Sequence, residues 1–321
     1  MQSFELLSRK FALYFDKEHF PGEPATLYRP NDYFLKMGGK RIRPVLCLMG
    51  NELFDEIRED AWPLASAIEL FHNFTLIHDD IMDKAPLRRG METVHAKYGE
   101  NTAILAGDVM LVAAYEYLNK VDSGILPSLL TLFNQTAREV CEGQQWDMDF
   151  EKRENVTIPE YIRMIELKTS VLLAASLKLG AIMGGAGERN QNLIYEFGRK
   201  LGIAFQVQDD YLDAFGDPEK FGKQVGGDIL ANKKTFLLIH ALETAAPAAR
   251  QALQEQLAGN APDKVEKVLQ IFRDCKVNEW ALQLQDRYLD EAMQHLEDVA
   301  VLSRRKEPLK ELAQFLVKRD H

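Results

Sequence analysis

Helical periodicity runs through nearly the whole chain, and no stretch alternates apolar and polar residues as a half-buried strand does. That pattern argues against sandwiches, barrels and βαβ units, and predicts one all-α domain over residues 1–321. Long helices are expected at 61–83, 100–119, 127–150, 160–184 and 190–214, after an amphipathic helix at 3–20. Pro21, Gly22, Pro24 and Pro30 are expected to break the chain before MGGKRIRP at 37–44, with Pro44 at the first position of the next helix. Residues 234–321 read as helical runs with breaks near Ala246–Pro247 and Gly259–Pro262, whereas glycine-rich Gly216–Lys233 reads as a mobile loop.

Two of these helices end in the same motif. In HNFTLIHDDIMDKAPLRRG, Asp79, Asp80 and Asp83 form a DDxxD, and FQVQDDYLD repeats it with Asp209, Asp210 and Asp213. Residues four apart on a helix share a face, so Asp79 and Asp83 point the same way and repel unless a cation joins them. Pro86 is expected to stop the first helix, and Arg88-Arg89 follows directly. Carboxylates for a metal and guanidinium forks for a phosphate thus lie within one short segment. One DDxxD would occur by chance in about one chain in ten of this length. Two, each closing an apolar helical run, call for a shared chemical reason.

Charge and cysteine content exclude several classes. With 39 basic and 49 acidic residues the net charge is −10, which argues against a nucleic-acid binder. Cys47, Cys141 and Cys275 have no CxxC spacing and form neither a zinc site nor a disulfide framework. The N-terminal MQSFELLSRK lacks the apolar core of a signal peptide, and Lys178 interrupts the longest apolar run, Ser170–Gly187. The expected location is the cytoplasm.

Paired carboxylate clusters suit Mg²⁺, a hard ion usually held by a few carboxylates and substrate phosphates. His72 and His78 are six apart and share no face, so zinc is not indicated; His78 reads as a packing residue. Lys40, Arg41 and Arg43 follow two glycines in GGKRIRP and offer an anion seat, or else a solvated basic turn. Lys168 in Lys168-Thr169-Ser170 lies inside an apolar helix, a costly place for a lysine without a task. Phe71 and Phe74 share a face and read as core, or as a wall beside an apolar substrate tail. Gly216 to Lys223 has the wrong spacer for a P-loop, and no GxSxG or nucleophile pair points to covalent catalysis.

In their order and spacing, GGKRIRP, HNFTLIHDDIMDKAPLRRG, KTS, FQVQDDYLD and GKQVGGDILANKKT resemble the trans-isoprenyl diphosphate synthases (polyprenyl synthetases) of short-chain type, over about residues 35–240. The resemblance implies the all-α isoprenoid synthase helical bundle around a central cavity, and a homodimer. It implies that Asp79, Asp83 and Asp209 hold three Mg²⁺ ions, with Asp80, Asp210 and Asp213 in the same metal-binding motifs. Arg88, Lys168, Lys223 and Lys233 would hold an allylic diphosphate, and Lys40, Arg43, His72, Arg89 and Phe205 isopentenyl diphosphate. Thr169 and Gln206, with Lys168 and Lys223, would stand at the reacting centre.

The implied reaction is head-to-tail prenyl transfer, with the loop at 216–233 as a lid. Phe71, Phe74 and Thr75 are the expected chain-length residues, favouring geranylgeranyl diphosphate over farnesyl or longer products. Two rivals share parts of the pattern. A class I terpene cyclase carries an NSE/DTE-type second motif and no isopentenyl seat, and a non-catalytic subunit of a heteromeric synthase tends to lose its acidic motifs.

Overall fold

A computed structural model of the chain describes residues 1–217, 225–259 and 261–317. The fold is all-α, apart from one two-stranded hairpin of two residues per strand among the described residues. Two compact units are each assembled from discontinuous segments: Met1–Phe133 with Ser176–Gln191, and Asn134–Ala175 with Asn192–His321.

The first unit contains α1 (Phe4–Phe15), α2 (Ala25–Lys36), α3 (Ile42–Phe54), α4 (Ala61–Met82), α5 (Val94–Tyr98) and α6 (Glu100–Leu118). Three expectations are corrected here. The first helix stops at Phe15 and not at residue 20, because His19 folds back and its Nε2–H donates to the Phe15 carbonyl at 2.9 Å. The segment expected to be broken by prolines is α2, with Pro24 as its N-cap and Pro30 inside it. Burial of Pro30 and Phe34 outweighs the one backbone bond that Pro30 cannot make. Pro44 is the third helical residue of α3, not the first, which is tolerated because no N–H in that turn has an intrahelical partner.

Helix α4 is apolar on most sides and packs against α3 and α6, and its Leu64, Ile68 and Phe71 are buried. It ends before Pro86 can act. Asp83 is its C-cap and Lys84 takes a left-handed φ of 50°. Lys84 N–H donates to the Ile81 carbonyl (3.2 Å) and Ala85 N–H to that of Asp80 (3.0 Å), a Schellman closure with lysine in the usual place of glycine. The hairpin follows: β1 (Leu87–Arg88) pairs with β2 (Met91–Glu92) across Arg89-Gly90. Both turn residues have positive φ, 54° and 76°, as a tight hairpin of this hand requires.

Next in the chain come α7 (Leu126–Lys152), α8 (Ile158–Ile165), α9 (Val171–Met183) and α10 (Glu188–Phe215). The single helix expected at 160–184 is interrupted by a π-helical turn, Glu166–Ser170. Further helices at Phe236–Thr244, Pro247–Ala258, Lys264–Asp274, Val277–Asp298 and Ser303–Val317 complete the second unit, with breaks at the expected Ala246–Pro247 and Gly259–Pro262 and also before Val277 and Ser303, where no proline or glycine stands. Its core includes Tyr161, Ile203, Val207, Phe236 and Phe272. The expected mobile loop is helical at Gly227–Leu230; its residues 218–224, with Lys223, lie outside the described residues.

Candidate active site

The first acidic motif sits at the C-terminal end of α4, where the helix dipole is negative and no basic residue lies in the last turn. Carboxylates there need a cation. Asp80 is 1% exposed and has one within the fold: Arg88 Nη2 lies at 2.7 Å and Nε at 2.8 Å. Asp79 is partly exposed and Asp83 exposed, one turn apart on one face.

Beside it, four arginines surround one histidine. Arg41 forms an ion pair with buried Glu69, which also accepts from Asn73 at 2.9 Å. Arg43 Nη1 donates to His72 Nε2 at 3.0 Å. A guanidinium can only donate, so His72 carries its proton on Nδ1 and is neutral. Desolvation and then Arg43, Arg89, Arg88 and Arg41 hold its pKa well below the usual histidine value. Arg89 donates to the Gly38 carbonyl and packs over Gly39, where an added Cβ would lie 3.0 Å from Nη2. Carboxylates therefore balance Arg41 and Arg88, while Arg43 and Arg89 are bonded to neutral groups. Arg43 and Arg89 thus present positive charge that suits an anion. Lys40 is exposed on the same turn.

Upstream on α4, Phe71 is buried and meets Phe133 edge-on at 5.2 Å, while half-buried Phe74 lies 5.7 Å from Phe71 and 4.8 Å from His78. The Thr75 hydroxyl donates to the His72 carbonyl at 2.8 Å.

In the second unit the motif occupies the last turns of α10, again with no basic residue in the final turn. Asp210 is 4% exposed; Tyr161 donates to it at 2.5 Å and the Gln206 amide at 3.0 Å. Burial, then Asp228, pushes its carboxyl up to about 7, against the opposing pull of Lys233 and those two donors. Thr169 donates to Gln206 at 3.3 Å, which extends the chain of hydrogen bonds into the π turn. Partly exposed Asp213 accepts from Asp228 N–H at 3.0 Å and so starts the Gly227–Leu230 helix. Asp209 and Phe205 are partly exposed, and Lys233 is exposed.

The π turn is pressed from two sides by glycines. A Cβ on Gly143 of α7 would lie 2.3 Å from Lys168 N, and one on Gly202 of α10 would lie 2.7 Å from Ser170 Cα. π turns recur at functional sites because the extra residue re-aims a side chain. Here Lys168 is aimed at Asp147, 2.6 Å away. Tyr161, Asp147 and Glu69 were not singled out by sequence. The acidic end of α7, EGQQWDMDFEKRE, was the one available signal for Asp147.

These donors suit a hard divalent ion. In each motif the middle aspartate is tied into the protein and the outer two retain exposure. Among the described residues no three His, Cys, Asp or Glu side chains cluster closely enough to hold a metal alone.

An all-helical chain with two helix-end aspartate motifs and an arginine cluster beside one of them has the features of an isoprenoid synthase. The chain belongs to the polyprenyl synthetase family, whose model matches residues 24–275, and it is a prenyltransferase. A short chain isoprenyl diphosphate synthase of Methanothermobacter thermautotrophicus is 40% identical over 299 residues, 93% of this chain and 92% of its own. The geranylgeranyl diphosphate synthase of Methanosarcina mazei is 38% identical over 303 residues, 93% and 91% of the two chains. A crystal structure of a geranylgeranyl pyrophosphate synthase superposes with a TM-score of 0.95 at 44% identity, covering 99% of both chains. No described helix is long and apolar enough to cross a membrane.

Proposed function

We propose that this chain condenses isopentenyl diphosphate with an allylic diphosphate, head to tail, giving geranylgeranyl diphosphate. The observation that carries the reading is the pair of helix ends, each with one buried aspartate, two that keep exposure, and no basic residue in the last turn. The names and similarity of the relatives support the product length. The whole of 1–321 would act as one catalytic domain, as a homodimer, in the cytoplasm.

Asp79, Asp83 and Asp209 would bind Mg²⁺, three ions per active site, with Asp80, Asp210 and Asp213 ordering the motifs. Bound Mg²⁺ would offset the negative charge that grows on the departing diphosphate. Arg88 and Lys168, each held by an aspartate, would donate to the same oxygens, with Lys233 nearby and Lys223 from the undescribed segment. Arg43, Arg89, Lys40 and His72 would seat isopentenyl diphosphate. Neutral His72 can donate there through Nδ1–H without adding charge. Thr169 and Gln206 would face the allylic cation, and Phe205 the isopentenyl group.

The test is incubation of purified protein with Mg²⁺, isopentenyl diphosphate and, separately, dimethylallyl, geranyl and farnesyl diphosphates. A C20 product from each primer, lost in EDTA and in Asp79→Ala or Asp209→Ala, is the expected result. A C15 end product would assign a farnesyl diphosphate synthase. Hydrocarbon formed without isopentenyl diphosphate would indicate a cyclase, and inactivity with all components a non-catalytic subunit.

A further inference from the structure

Lys168 is reached by α7 at two points. Gly143 lets the α7 backbone lie against the Lys168 amide, where a Cβ would be 2.3 Å away. One turn later on the same face, the Asp147 carboxylate meets the Lys168 ammonium at 2.6 Å. Backbone and side-chain head of one residue are thus fixed by a single helix face. The pair is largely shielded, with side-chain exposures of 24% for Lys168 and 18% for Asp147. Coulombic coupling there is stronger than at an open surface.

An ammonium on a four-carbon stem has many rotamers and three donors. One bond to Asp147 fixes the rotamer and leaves two donors. Asp147 also stands near the second acidic motif: burial, Asp210, Asp228 and Asp147 together keep the Tyr161 hydroxyl protonated. A carboxylate so placed would repel a diphosphate if it stood alone. Paired with Lys168, it presents a donor in place of a negative charge.

We infer that Asp147 is a positioning residue, whose carboxylate holds the Lys168 ammonium where it meets the allylic diphosphate. This rests on the role proposed for Lys168. Asp147 touches neither substrate nor reacting atoms; it acts through Lys168, so its loss should be felt only where Lys168 is felt.

The experiment is a double-mutant cycle on full-length protein with Mg²⁺ and both substrates, using Asp147→Ala, Lys168→Gln and the double variant. Asp147→Ala should lower kcat by about 10–100-fold, the cost of misplacing a transition-state contact. It should raise KM for the allylic diphosphate several-fold and change KM for isopentenyl diphosphate less than twofold. The double variant should be no worse than Lys168→Gln. Asp147→Glu should recover part of kcat, and Asp147→Asn, close in shape, replaces Asp147→Ala if that variant fails to fold. Multiplicative losses in the double variant would overturn the inference, since Asp147 would then act independently. Wild-type kinetics in Asp147→Ala or Asp147→Asn beside an impaired Lys168→Gln would overturn it alone. Wild-type kinetics in Lys168→Gln would remove the role given to Lys168 and the inference with it.

Discussion

Gly143→Ala should impair both stability and turnover, although helix propensity alone predicts the reverse. Gly143 lies inside α7, where alanine is favoured over glycine by about 1 kcal/mol. The new Cβ, however, runs into the Leu167–Lys168 peptide: Lys168 N at 2.3 Å, Leu167 C at 2.7 Å and Lys168 Cα at 2.7 Å. None of these can rotate away. Restoring the 3.4 Å of an ordinary contact requires α7 and the π turn to separate by about 1 Å. Overpacking of this kind costs about 1–3 kcal/mol, so after the helix-propensity gain the net loss is up to about 2 kcal/mol, and the melting temperature falls by up to about 5 °C. The displaced atoms belong to Lys168 and its neighbour Thr169. A misplacement of about 1 Å at such a site lowers kcat by about 10²-fold. Scanning calorimetry and steady-state kinetics with a radiolabelled isopentenyl substrate read the two effects. A variant as stable as wild type, with wild-type kcat, would refute the claim that the π turn is clamped by α7.

Three further outcomes are expected. Tyr161→Phe takes from buried Asp210 its hydroxyl donor and leaves the Gln206 amide, and should cost about 1.5–3 kcal/mol by chemical denaturation; no change would mean that Asp210 does not depend on the hydroxyl. His19 is held neutral, its pKa lowered to about 4 mainly by burial, with Tyr117 donating to Nδ1 and Nε2–H donating to Phe15. Between pH 6.5 and 4 the unfolded chain therefore binds a proton that the folded chain refuses. Stability should fall by about 2 kcal/mol across that window, allowing for partial exposure, and His19→Gln should remove this component from melts at graded pH. Phe74→Ala should lengthen the main product by about one five-carbon unit on chromatography, and an unchanged product would take Phe74 out of the chain-length gate.

The helices were legible because their apolar stripes are local and long. The ends of α4 and α10 were legible because paired aspartates that close an apolar run with no lysine or arginine just before them are conspicuous. Features set by neighbours distant in the chain were not. Pro30 looks like a breaker until the burial of Phe34 is known, and the π turn inserts its extra residue against Gly143 and Gly202, which carry no side-chain signal. Tyr161 is an ordinary aromatic in sequence, and its bond to Asp210 spans 49 residues. The hairpin after α4 is too short for alternation to register, and only its arginine-glycine turn hints at it. Even so, the residues chosen at the sequence level from the arginine and histidine cluster do gather around His72.

The balance sheet of the four arginines has a kinetic corollary. The molecule as a whole carries −10, so an approaching diphosphate is repelled at long range and attracted only close to Arg43 and Arg89. Ions in solution shorten long-range fields first, with a screening length near 10 Å at about 0.1 M salt. Raising salt from very low levels should therefore quicken substrate capture before slowing it, giving kcat/KM a maximum at intermediate ionic strength.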